Sequence, residues 1–431
     1  MNNYNSIPNK YIRFIVTLIL FAPVLSYITL GIFEVDFLTL TITFSLVGIV
    51  ILVLFRSEKR PIIFPRYLLF LLLFIIYTTV MNYGVLGKQF AIKYFFADKI
   101  VGTFYVFFLV ENFKISNKYF RFVIKYSKPI LIAAILVIII QQGYKDSFLV
   151  NKYYQQKWGT IGADESRLPS IYSYLGEGMA TGFGFVPIFI IVVEYLDRKK
   201  KVIYPWILGG LIFAFLTKYR WIMINALLVL IILIINHKNK VVQVVKYGVL
   251  AFILLFLSAF VLKSIGVDAN KIVQERILES DTKKDKTSYS TRLLAIQTFN
   301  KMFWDHPIFG VGNIKYGIGG TGKQEYKLVK ALGGHSSQLH IGYLSLFYYY
   351  GVIGGLLYLL FMYLLIYDKL YKNAKKTGMY GPFFGMLCFA LANLTLVTFS
   401  LLEVGLVLSL LVDKYYMKEY KRQLKLKTIA S

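Results

Sequence analysis

Cysteine is almost missing from this sequence: the single Cys388 lies inside an apolar run and has no partner, so no disulfide can form within the chain. Charge is scarce as well, at 16% of residues, and acidic residues are scarcest, with 22 Asp and Glu against 49 Lys and Arg. A soluble domain ordinarily carries about 25% charged residues, and this deficit excludes a soluble core of ordinary surface-to-volume ratio. The metal-binding spacing His-x-x-x-His does not occur, and the segments expected outside the membrane hold no Asp-x-Asp pair of the kind that binds a divalent ion with a nucleotide sugar. No internal repeat recurs at a period of 20 to 50 residues, which argues against the repeat-built transporters.

What the chain has in quantity is hydrophobic sequence, 57% of it, rich in Tyr (34) and Phe (36). A helix crossing ~30 Å of hydrocarbon needs ~20 mainly apolar residues. On that measure twelve spans are expected, at 12–33, 37–55, 67–86, 91–110, 129–142, 170–193, 202–216, 221–236, 247–264, 340–366, 380–396 and 398–412. The last two form one apolar run that reads as a single tilted helix or as a tight hairpin. The first run is too long for a signal-peptide core and is taken as a retained span.

Charge then orients the chain. With the N-terminus inside, the inner segments sum to +21 and the short outer ones to +2, the asymmetry that the positive-inside rule demands. Both termini are therefore expected in the cytoplasm. The expected fold class is all-α: a polytopic protein of about twelve transmembrane helices with one large extracytoplasmic loop. Residues 1–264 carry spans one to nine, 265–338 form the loop, and 339–431 carry the last three spans and a basic cytoplasmic tail. The net charge of +27 is sorted by membrane side, so nucleic acid is not expected as a partner.

Within this topology several residues that could do chemistry converge on the outer face. Thr217-Lys218-Tyr219-Arg220 sits at the mouth of spans seven and eight, and Arg292 opens a run in which Leu293, Ile296, Phe299 and Phe303 recur at helical spacing. Ser290 or Thr291 is expected to cap that run. Two arginines at an interface offer permanently charged forks that bind phosphate oxygens bidentately, and a lipid pyrophosphate is the natural anion there. For Arg220 the competing reading is a snorkelling anchor. For Arg292 it is an exposed charge on an amphipathic helix.

Of the four histidines, His237 falls in a cytoplasmic loop and His306 in a turn before Pro307. His335 stands between Gly334 and Ser336 where the chain re-enters the membrane, and a neutral imidazole there could take a proton from an acceptor hydroxyl. A helix-capping histidine is the plainer alternative. His340, about 140° further round a helix, would not share its cavity. Glu177, near the outer side of a span, is a candidate for orienting His335 or an arginine.

Taken together, Leu216-Thr-Lys-Tyr-Arg-Trp221, Ser290-Thr-Arg-Leu293, His306-Pro-Ile-Phe-Gly-Val-Gly312, Gly334-His-Ser-Ser337 and Tyr350-Gly-Val-Ile-Gly354 resemble, in order and spacing, the bacterial O-antigen ligase and polymerase superfamily. The sequence departs from that pattern at Lys218, Tyr219 and Ser336. The resemblance implies a membrane-embedded GT-C-type glycosyltransferase of the bacterial inner membrane. Its donor would be a polyprenyl pyrophosphate-linked oligosaccharide held by Arg220 and Arg292, with His335 as base and Arg167, Glu177, Lys218 and Tyr219 in support. It further implies an inverting reaction without metal or cofactor, a glycan acceptor, and partners such as a chain-length regulator and a flippase. A polymerase of surface-polysaccharide repeat units is the leading expectation. A ligase transferring the glycan to lipid A core stands close behind, and a lipid-linked sugar flippase further off.

Overall fold

The computed structural model describes residues 6–20, 37–55, 61–85, 99–126, 288–312, 341–394 and 404–430, with isolated residues such as Asp197, Leu328 and Leu339 between them. The structure is helical, without strands among the described residues. In chain order the helices are α1 (Ile7–Leu20), α2 (Phe37–Leu54), α3 (Arg66–Thr79), α4 (Lys99–Asn112), α5 (117–126), α6 (Ser288–Met302), α7 (Gly342–Tyr363), α8 (Lys372–Thr377), α9 (Gly381–Ala392) and α10 (Val404–Ala430).

Two of these stretches, Arg66–Tyr83 and Gly342–Thr377, are long and apolar enough to cross a membrane. Three shorter apolar helices, Leu40–Leu54, Ile100–Asn112 and Gly381–Leu391, coincide with parts of expected spans. The expected spans 129–142, 170–193, 202–216, 221–236 and 247–264 lie, but for isolated residues, outside the described residues.

The helices obey local rules. Pro65, extended at φ −70°, precedes α3, where a proline costs no helical hydrogen bond. Gly378, left-handed at φ 70°, ends α8 by sending its N–H to the carbonyl of Ala374. Pro382 opens α9 in the first turn, where its missing N–H has no helical acceptor to serve. The remaining free amides at that end are capped from a distance, because the carboxylate of Asp197 accepts from Tyr380 and Gly381 at 3.1 and 3.2 Å.

Packing centres on α4, which touches α2, α3 and α10, while α3 runs along α7. Phe74 of α3 lies between Tyr350 and Tyr358 of α7, with ring centroids 5.2 and 5.4 Å away. Between spans the gain comes from close van der Waals contact, since lipid is as apolar as leucine. Gly354 permits it here: a Cβ at that position would come within 2.6 Å of Tyr77 Cε1.

One end of the bundle is tied by charge. Glu111 accepts from the Tyr67 hydroxyl at 2.8 Å and pairs with Lys369, which a π-helical stretch, Leu364–Tyr371, carries into the interior. Lys414 of α10 donates to the carbonyls of Val110 and Glu111, and Asn373 donates to Asp413 at 3.0 Å.

Several expectations shift. The run 380–412 contains two helices, α9 and α10, packed on each other. The expected twelfth span ends at Val412, yet α10 continues to Ala430. Span ten likewise continues to Thr377 through the π-helical stretch. Helix α1 starts at Ile7, ahead of the apolar run, and so takes in Lys10 and Arg13. Residues 113–126, read as an inner loop, carry buried Phe113, Ile115, Tyr119 and Phe120.

Candidate functional site

Helix α6 carries Arg292. Its packed face is formed by Ala295 and Thr298, both buried, together with the half-buried Leu294, Phe299 and Met302. Leu293 and Ile296, read as part of an apolar face laid along the membrane interface, are 43% and 41% exposed. Arg292 stands three and seven residues before Ala295 and Phe299, on the side turned to the protein, and it is half-buried with its Nε enclosed. Helix α6 opens at Ser288, so Ser290 and Thr291 lie in its first turn and not at the cap.

After one 3-10 turn, Phe303–Asp305, the chain enters the turn His306–Gly312, and this turn is built into α7. The helix breaks at Gly351, with φ 63° and ψ −171°, a region open essentially to glycine alone. A regular helix would join the Val352 amide to the Tyr348 carbonyl and the Ile353 amide to that of Tyr349. The turn takes all four groups. Val352 N donates to Pro307 O (2.8 Å) and Ile353 N to Ile308 O (3.2 Å), while Val311 N donates to Tyr348 O (3.1 Å) and Gly312 N to Tyr349 O (2.7 Å). Two helical bonds are thus exchanged for four. The Tyr77 hydroxyl closes the joint, donating to Tyr350 O at 2.9 Å with Phe309 O at 3.2 Å. Gly310 (φ 73°) and Gly312 (φ 72°) supply the left-handed positions of the turn.

The arrangement fixes α6, and with it Arg292, against span α7. Tyr348, one turn from the break, is buried, and its hydroxyl finds no hydrogen-bond partner among the described residues. Asp305 is close enough for its charge to act on that phenol. No group of His, Cys, Asp or Glu among the described residues is placed to hold a metal ion.

Residues 203–359 match the family model described as O-antigen ligase. That match supports the resemblance of this segment to the O-antigen ligase and polymerase superfamily. All five sequence elements that carry the resemblance lie inside the matched segment. The O-antigen ligase match and the apolar helices together support a membrane protein with a ligase- or polymerase-type role in polysaccharide biosynthesis. No curated protein matches the chain.

Of the expected site residues, the structure describes Arg292. Arg220, His335, Glu177, Arg167, Lys218 and Tyr219 lie outside the described residues. Both glycine elements of the matched segment are visible in the sequence, but it does not show that each is the other's hydrogen-bond partner. The signal was their matched glycines. Tyr77 and Tyr348 gave no signal among 34 tyrosines.

Proposed function

We propose that this protein is a membrane glycosyltransferase that polymerises oligosaccharide repeat units carried on polyprenyl pyrophosphate, for a capsule, exopolysaccharide or O-antigen. The observation that carries the reading is the placement of Arg292. A guanidinium half-enclosed at the start of a helix, and pinned to a membrane span within an O-antigen ligase domain, is suited to an anionic headgroup that arrives in the plane of the lipid.

In this reading Arg292 and Arg220 hold the pyrophosphate. His335 removes the proton from the acceptor hydroxyl as that oxygen attacks the anomeric carbon, and the bond to the lipid pyrophosphate breaks with inversion. Arg167, Glu177, Lys218 and Tyr219 would support those groups, with no cofactor. The partners are the lipid-linked donor, a growing glycan acceptor, and a flippase and chain-length regulator that supply and limit it. The active site faces away from the cytoplasm in the bacterial inner membrane. Transfer to lipid A core by a ligase uses the same donor and the same residues, and the family model's own description favours it.

Purified protein supplied with defined lipid-linked repeat units tests the reading. A ladder of glycans is expected, and transfer confined to a core acceptor would make the protein a ligase. His335→Ala should lower turnover by ~10² to 10⁴, the usual contribution of a positioned general base, while donor binding survives. If His335→Gln keeps most of the activity, the histidine positions the acceptor without taking its proton.

A further inference from the structure

The joint between the turn and α7 lies at a depth that two rulers measure. Along the Gly342–Thr377 stretch the first charged residue is Asp368, and Gly351 stands about 24 Å before the uncharged Tyr367 at 1.5 Å per residue. Along α3, whose Arg66 acts on Asp368 at the same end, Tyr77 stands about 16 Å from Arg66. Both values fall inside a hydrocarbon layer ~30 Å thick. The turn bonded at Gly351 and Tyr77 is therefore not an aqueous loop resting above the bilayer.

Irregular backbone survives at such depth where its polar groups are satisfied within the protein. Here the carbonyls of Pro307, Ile308 and Phe309 and the amides of Gly310, Val311 and Gly312 are all bonded, and Pro307 has no amide hydrogen to place. The side chains point the other way. Trp304, Ile308 and Phe309 are 72%, 55% and 51% exposed. They continue the exposed apolar row that starts at Val352 and Ile353 on α7, the face a span turns to lipid.

We propose that the turn is a membrane-embedded wedge. Ile308 and Phe309 sit among acyl chains of the leaflet at the Gly342 end of α7, and Trp304 sits at the headgroup boundary, where indoles concentrate. Exposed Asp305 and His306 mark the polar side of that boundary. Lipid is the occupant because the surface is continuous with the exposed apolar row of a span and the backbone groups that tie the turn to α7 and Tyr77 are bonded within the protein.

The test uses the full-length protein in phospholipid vesicles. A single-indole variant is made from Phe309→Trp with Trp158, Trp206, Trp221 and Trp304 changed to Phe. Its emission should be strongly quenched by phospholipids brominated along the acyl chain and little affected by aqueous acrylamide. Trp304, kept alone in the parallel variant, should be quenched best by bromines near the headgroup. In the wild type, a photoactivatable acyl-chain carbene should label the peptide containing Ile308 and Phe309, a readout that needs no variant. Quenching by acrylamide and not by lipid would make the turn an aqueous loop. Shielding from both quenchers, with no carbene labelling, would mean that protein covers it. Either result overturns the proposal, and neither bears on whether the protein transfers sugars.

Discussion

Replacing Gly351 with alanine tests the interlock between the turn and α7. The native φ and ψ of 63° and −171° cost an alanine about 1–3 kcal/mol of backbone strain. Its Cβ would also collide with the carbonyl of Ile308 and the amide of Gly310. The variant has one escape. If α7 straightens, the Val352 and Ile353 amides return to the Tyr348 and Tyr349 carbonyls, and the turn is expelled. That route trades four bonds for two, a net loss of about 2 kcal/mol at roughly 1 kcal/mol per bond, plus the contact of Tyr77 with Phe309. Either way the cost is about 2–4 kcal/mol. It falls on the turn, because straightened α7 has its own bonds again. Hydrogen exchange read by mass spectrometry should show the amides of Val311 and Gly312 losing ~30-fold to ~10³-fold of their protection, at tenfold per 1.4 kcal/mol, while α7 stays protected. Retained protection at Val311 and Gly312 in a Gly351→Ala protein of unchanged stability would refute the exchange of bonds.

Arg292→Ala should weaken donor use by the equivalent of about 2–4 kcal/mol, and Arg292→Lys should restore only part, since a point charge cannot reproduce a fork; titration with a lipid pyrophosphate analogue reads both. Glu111→Ala strands Lys369 in the interior and should cost about 3–5 kcal/mol in thermal or denaturant unfolding, whereas a loss under 1 kcal/mol would mean that water reaches the lysine. Tyr348→Phe removes a buried hydroxyl that has no hydrogen-bond partner among the described residues and should be neutral or stabilising by about 1 kcal/mol; clear destabilisation would reveal a partner. Burial raises the Asp197 carboxyl to about 7, against the pull of its hydrogen bonds from the Gly381 and Tyr380 amides. The folded state then binds the proton more tightly than the unfolded one, so stability falls as pH rises from about 4 to about 7 and levels off above. Asp197→Asn should flatten that part of a melting-temperature profile, and an unchanged slope would assign it to other groups.

The sequence made the membrane character legible because hydropathy and the sidedness of charge are local sums. Packing was less legible. The spacing of Leu293, Ile296, Phe299 and Phe303 gives the period of an apolar stripe for the membrane, but it does not say that Ala295 and Thr298 are the α6 residues buried against protein. Helix α10 was cut short at Val412 because an apolar count measures affinity for lipid, while the helix is continued by residues such as Lys414 and Lys418 that bond carbonyls near the end of α4. The glycine elements at 306–312 and 350–354 could be placed individually. Their pairing is a long-range fact that no window of sequence contains. Most of the candidate site, His335 and Arg220 included, is still an inference from residue type, order and spacing.

The ion pair at Glu111 has a bearing on biosynthesis. Its partner Lys369 follows 258 residues later in the chain, and Lys414 later still. At 5–20 residues per second, translation takes roughly 10–50 s to cover that interval. For that time an inserted α4 carries a carboxyl whose counter-charge has not yet been made. The nascent protein must keep Glu111 protonated, wetted or borrowed by another helix until the C-terminal third arrives. Truncation before the Leu364–Tyr371 stretch, which removes Lys369, should therefore leave the early helices as targets for membrane quality control.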